Sequence, residues 1–209
     1  EDAPLSDQQR KYLEVIRKSG ENIARLIDDL RDLENVISGQ LNLELQPIQP
    51  GCIIEDVCSE LYPIAEQNEL VLTADVHEQL PPIRADEGRL RQVLVNLVSN
   101  ALKFTEEGSV TIEAAPHEPS GETDAGPPAV RIRVIDSGIG IHADFLPHVF
   151  DRFTREKRTD HSGSGLGLTI SRALVERMNG TIEVESTLGE GSVFTIYLPT
   201  DSSTHPQNP

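Results

Sequence analysis

A two-layer α/β sandwich is predicted for most of this chain: a mixed sheet with three helices on one face, preceded by a long heptad helix. Three observations predict it. Segments with apolar residues at alternate positions, such as VLTADV and VRIRVID, are interleaved with segments whose apolar residues recur every three or four positions. A leading stretch places Ile16, Ile23, Leu30 and Ile37 seven residues apart. Strands and helices then follow one another in an order that lays helices on one sheet.

Taken in order, residues 6–38 are predicted as the long helix, with Leu13, Leu26, Ile27 and Leu33 widening its apolar stripe. Such a helix must bury its seam against a partner, and nothing before it in this chain can serve. Gly39 ends it, and LNLELQP gives a short strand closed by Pro47 and Pro50. Residues 52–67 form a second helix on Ile54, Val57, Leu61 and Ile64. LVLTADV is a strand, and LPPIRADEG bends the chain into a third helix with Asp86 as its N-cap. That helix buries Leu90, Val93, Leu94, Leu97, Ala101 and Phe104 on one face. SVTIEAA and AVRIRVID are strands joined by a loose, Pro- and Gly-rich loop. A polar segment, a helix from about Leu166 to Met178, and the strands TIEVES and SVFTIYLP complete the order. Three regions result: residues 1–39, a domain over 40–200, and a disordered or linking tail, 201–209.

Composition narrows the function. Eighteen basic against 35 acidic residues give a net charge of −17, which repels phosphate backbones and anionic membranes; no nucleic-acid partner is expected. No apolar run approaches the ~20 residues that span a bilayer. The N-terminus, EDAPLSDQQ, has no signal-peptide pattern. A soluble, cytoplasmic piece is expected, one that a membrane sensor can also supply. Cys52 and Cys58 have no histidine near them and read as small buried residues rather than metal ligands. One place breaks the acidity: RFTREKR crowds Arg152, Arg155, Lys157 and Arg158 together. It is either a solvated loop or the receptor for an anion.

The third helix poses a sharper question. Along NLVSNALKFT, Gln92, Asn96, Asn100 and Lys103 line up three or four residues apart. A polar row is usually the wet side of a helix, but asparagine competes for backbone hydrogen bonds and is a poor choice for helicity. Aligned carboxamides offer neutral oxygens, the ligands that complete a hard cation's shell beside phosphates. In VIDSGIGI a strand runs into Asp136, then Gly138 and Gly140. A carboxylate fixed there can accept from an exocyclic amine, and the glycines let a flat ring approach. GSGLGL is a glycine-rich turn opening a helix, a geometry for phosphate capture by backbone N–H groups. It fits neither a dinucleotide fingerprint, since no strand precedes it, nor a P-loop, since no Gly-Lys-Ser/Thr occurs.

The order and spacing of these segments resemble the ATP-binding catalytic domain of bacterial sensor histidine kinases, in the superfamily of gyrase, Hsp90 and MutL with its Bergerat-type fold. NLVSNALKFT resembles the N box, DSGIGI the G1 box, VFDRF the F box, GSGLGLTIS the G2 box and GEGSVF the G3 box. The likeness covers about residues 40–199, and the leading helix resembles the second helix of the family's dimerisation hairpin.

This resemblance implies ATP and Mg²⁺ as ligands. It makes Asn100 the metal ligand, Asn96 its support, and Lys103 a phosphate contact. It makes Asp136 the acceptor of the adenine amino group, with Gly138 and Gly140 shaping the pocket. Residues 153–164 become a lid, and Arg152 or Arg155 touches the γ-phosphate. Gly163, Gly165 and Gly167 hinge that lid and, with Leu166 and Leu168, contact the nucleotide. Thr154 departs from the aromatic of many members, and Ser192 from a common threonine. Hydrolytic relatives carry a glutamate one turn before the metal-binding asparagine; Asn96 stands there instead and has no useful basicity. The resemblance therefore implies a protein-histidine kinase of a two-component system, its γ-phosphoryl kept for a protein nucleophile. Neither His77, His117, His142, His148, His161 nor His205 lies on the heptad helix. The implied acceptor is a histidine on a first hairpin helix absent from this chain. The further implied partners are a response regulator receiver domain and a second copy of the kinase. A serine kinase of the anti-sigma type and a non-catalytic nucleotide-binding regulator are the alternatives.

Overall fold

The computed structural model describes residues 5–38, 42–117, 127–154 and 165–201. Two units are present, residues 1–41 and 42–209. The first holds helix α1, Asp7–Ile37. Its Ile16, Ile23 and Leu30 are 65%, 58% and 57% exposed, and Leu13, Leu26 and Ile27 are exposed with them. The heptad stripe is a surface of this unit. The side chains of Leu33 and Ile37 lie outside the described residues.

The second unit is a five-stranded mixed sheet with helices packed against it. Its strands are β2 (Val71–Val76), β4 (Ser109–His117), β5 (Ala129–Asp136), β6 (Thr181–Thr187) and β7 (Gly191–Pro199). They lie in the order β2-β4-β5-β7-β6, with β2 and β4 parallel and every other pair antiparallel. Helices α2 (Pro50–Gln67), α3 (Glu87–Phe104) and α4 (Gly167–Arg177) cover it. The core runs along alternate strand residues: Val110, Ile112 and Ala114, then Val130, Ile132 and Val134, then Phe194, Ile196 and Leu198. This period-two face meets Leu90, Val93, Leu94, Leu97 and Ala101 of α3, as predicted, with Val98 and Leu102 also buried. Phe104, at the helix end, is only half-buried, with Lys103 Nζ 4.8 Å from its ring centroid.

Asp86 caps α3 as expected. Its Oδ1 accepts from Arg89 N at 3.1 Å, while its Oδ2 accepts from Glu44 N at 3.0 Å, so one carboxylate also pins the entering chain.

Five local expectations change. On α2 the stripe runs through Ile53, Ile54, Val57, Leu61 and Ala65, and Ile64 is 45% exposed. Cys52 sits off that stripe and is exposed, while Cys58 is half-buried. Burial, followed by the charge of Glu55, pushes the Cys58 thiol above its ordinary value. The first strand is Gln46–Ile48, with Pro47 at its centre rather than its end. It pairs with β3, Ile83–Ala85, a strand within the stretch expected to bend. β3 is bridged on its other side at Ile83–Thr200, so the Gln46–Ile48 strand is the ribbon's edge, which is where a proline is tolerated. Finally, Asp201 is buried and its N–H donates to Pro82 O at 2.9 Å, so the body of the fold reaches that residue.

Candidate functional site

The end of β5 and the C-terminal half of α3 meet at the centre of the sheet. Asp136, the last residue of β5, is 8% exposed. Its Oδ1 accepts from Gly138 N at 2.9 Å and from Ser192 N at 3.2 Å. Burial holds this carboxyl above the ordinary carboxylate range; the two N–H groups and the Ser192 hydroxyl oppose the shift without cancelling it. The loop after it is tied to α3, since Ile139 N donates to Phe104 O at 3.1 Å.

The glycines of this loop answer to the protein's own backbone. A Cβ on Gly138 would strike Phe104 O, and one on Gly140 would strike Thr187 O. Gly140 also holds φ at +66°, where a side chain is strained. The chain thus packs loop against backbone here, which explains both residues before any ligand is considered.

The polar row on α3 divides. Gln92 Oε1 accepts from the Arg89 guanidinium at 2.8 Å. Asn96 Nδ2 donates to Ser171 Oγ of α4 at 2.9 Å, and its Oδ1 abuts Gly167. Asn100 is half-buried and, among the described residues, its carboxamide makes no side-chain hydrogen bond. Lys103 is half-buried beside the Phe104 ring. Asn96 is thus engaged with α4, whereas Asn100 is not.

Helix α4 begins at Gly167 with no side-chain cap on its first turn. Leu166 is buried, Leu168 is half-buried, and Gly165 holds φ at +68°. The chain entering this turn is clasped to the chain leaving β5's far loop. Phe153 N donates to Gly165 O at 3.1 Å, and Thr169 Oγ1 donates to Phe150 O at 2.8 Å. Phe153 is exposed with φ at +58°. The Phe150 ring stands edge-on to Phe194 at 6.4 Å and takes the Arg172 guanidinium at 5.7 Å. Arg152 is exposed; Arg155 and Gly163 lie outside the described residues.

The family described as Histidine kinase-, DNA gyrase B-, and HSP90-like ATPase matches residues 85–202, a span that contains all of these groups. The chain belongs to this family. Among curated relatives it is similar to the circadian input-output histidine kinase CikA of Synechococcus elongatus, 34% identical over 99% of this chain and 27% of that protein. It is likewise similar to the sensor protein GacS of Pseudomonas syringae, 36% identical over 93% of this chain and 21% of that protein. The chain spans about a quarter of the length of these relatives. Among solved structures, full-length ShkA in complex with AMPPNP superposes with a TM-score of 0.81 at 31% identity, over 98% of this chain and 41% of that one. The nucleotide-free catalytic domain of the histidine kinase ThkA gives 0.63 at 26% identity, over 76% of this chain and 97% of that one. The ATPase-family fold accounts for the mixed sheet.

Ser171 and Ser186, which the sequence did not single out, and Ser192, noted there only as a departure from threonine, complete the site. Ser171 receives Asn96, and Ser186 accepts from Ile141 N at 2.8 Å. Ser192, opposite Asp136 in the β5–β7 register, supplies an N–H to the carboxylate. The signal for the two strand serines was present: each occupies the inward face of a strand that is otherwise apolar there.

Proposed function

We propose that this chain is the ATP-binding catalytic portion of a cytoplasmic protein-histidine kinase, working with a histidine-bearing hairpin helix and a response regulator receiver domain. The observation that carries the nucleotide reading is Asp136: a buried carboxylate held by two backbone N–H groups, tied through Phe104 O to the helix that bears Asn100. Its remaining acceptor capacity suits the 6-amino group of adenine and opposes the 6-oxo group of guanine.

Magnesium fits the donor set. Asn100 presents a neutral oxygen with no competing side-chain hydrogen bond among the described residues. No group of three His, Cys, Asp or Glu among those residues could hold a metal unaided, so the ion would take its other ligands from phosphate and water. When bound, it neutralises phosphate charge. The chain's own residues would then bind and orient: Lys103 and the uncapped first turn of α4, with Gly165, Leu166, Gly167 and Leu168, would contact the phosphates, as would Gly163. Arg152 and Arg155 supply further positive charge to the γ-phosphoryl. Asn96 lacks the basicity to activate water, so the γ-phosphoryl is retained for a protein acceptor. The exposed stripe of α1 supports a homodimer in the longer protein, formed by hairpin helices.

The test is transfer. Given labelled Mg²⁺·ATP and a separate hairpin carrying the acceptor histidine, the chain should place acid-labile, base-stable phosphate on the hairpin. Mass spectrometry should find none on His142, His148 or the chain's other histidines. Phosphate accumulating on this chain, or steady ATP hydrolysis without transfer, refutes the reading.

A further inference from the structure

Ser171 sits one turn into α4, is 2% exposed, and accepts from Asn96 Nδ2 of α3 at 2.9 Å. The other end of the same carboxamide, Asn96 Oδ1, lies against Gly167, the first residue of α4. Asn96 thus meets α4 at two points one turn apart. The terminal torsion of an asparagine is broad, so the bond to Ser171, rather than the side chain's own rotamer, sets the plane of the carboxamide.

This contact stands between two groups proposed above for the phosphate end of the nucleotide. Asn100 lies four residues beyond Asn96, one turn along the same helix. Gly167 opens α4, whose first turn has no side-chain cap. The placement of that turn relative to Asn100 therefore depends on the Asn96–Ser171 bond. Base recognition stands apart. Asp136 takes its hydrogen bonds from Gly138 N, Ser192 N and the Ser192 hydroxyl, and from no group of α4 among the described residues.

We propose that Ser171 is a positioning residue for the phosphates, its hydroxyl fixing Asn96 so that the first turn of α4 is held in place relative to Asn100. The inference rests on the reading of Asn100 and of the α4 turn given above. It differs from a purely structural role, in which Ser171 only fastens α4 to α3. Fastening supports every ligand alike, whereas positioning of the α4 turn affects only a ligand that carries phosphate.

The experiment measures ATP, ADP and adenosine, with Mg²⁺ present, as competitors of a fluorescent ATP analogue on the full 209-residue chain. Ser171→Ala should weaken ATP and ADP by roughly 3- to 10-fold, the size of one hydrogen bond, and leave adenosine unchanged. Ser171→Thr keeps the hydroxyl and should keep the ATP/adenosine preference. Asn96→Ala should lower the preference, and adding Ser171→Ala to it should lower it no further, since Ser171 acts through Asn96. Equal weakening of all three ligands by Ser171→Ala, or separate and additive losses in the double variant, overturns the proposal. The native chain is the control. If it prefers ATP to adenosine and Ser171→Ala leaves that preference unmoved, the Ser171 role fails alone. If the native chain binds adenosine as tightly as ATP, the phosphate reading of the α4 turn fails with it.

Discussion

Gly167→Ala offers a quantitative test of how α3 and α4 are joined. A Cβ at this position would fall on Asn96 Oδ1, 3.0 Å from its Cγ and 3.1 Å from its Nδ2. The asparagine must swing aside, which breaks its 2.9 Å hydrogen bond to Ser171 Oγ. Ser171 is 2% exposed, so its hydroxyl has no water to turn to. Leaving a buried polar group unpaired costs about 1–3 kcal/mol. Alanine recovers part of this, at most ~1 kcal/mol, as a better helix former than glycine. The expected net loss is about 0–3 kcal/mol, read as a lower urea midpoint with an unchanged m-value. In an Asn96→Ala background the obstructing atoms are gone, and Gly167→Ala should be neutral or slightly stabilising. The two substitutions must therefore be strongly non-additive. Simple addition of the single-variant costs would show that Asn96 is not the group that meets Gly167, and the account of Asn96 as a helix–helix latch would be wrong.

Other outcomes follow from the same geometry. Leu94→Ala, at a fully buried position on α3, should cost about 2–5 kcal/mol by urea denaturation, depending on how far the cavity collapses. Asn100→Ala should change stability by no more than ~0.5 kcal/mol, as at an unconstrained site, yet remove magnesium-dependent ATP binding in calorimetry. ATP affinity should fall as pH drops through the raised Asp136 pKa, beginning above the ordinary carboxylate range, because a protonated carboxyl loses acceptor capacity. Competition titrations across pH should show this in the native chain and not in Asp136→Asn. The stability linkage has the opposite sense. With its folded pKa raised, Asp136 favours folding below the unfolded value, and that contribution is lost as pH rises through the folded value.

Much of the fold was legible because local chemistry agreed with the tertiary result. On α3 the apolar spacing, the Asp86 cap and the strand-facing stripe all coincided with what packs on the sheet. β3 was not legible, since three residues are too few to display an alternation, although Ile83 and Ala85 are both fully buried. Pro47 misled for a related reason: a proline normally closes a strand, but here its strand is the ribbon's edge. At the site, the sequence grouped Asn96 and Asn100 as one row. The structure separates them through Ser171, a partner 75 residues away that helical periodicity on α3 cannot reveal. Likewise, Gly138 and Gly140 suggested room for a ring, whereas the atoms facing them are the carbonyls of Phe104 and Thr187.

The paired clasps at Phe153–Gly165 and Phe150–Thr169 bring two points of the chain together that are far apart in sequence. Gly165 and Thr169 flank the first residue of α4, so the two bonds fix from both sides where that helix starts. A helix whose first turn has no side-chain cap is thus anchored by its neighbours in the chain instead of by its own N-cap residue. The position of α4 is set by contacts with the chain around Phe150 and Phe153 as well as by its packing on α3.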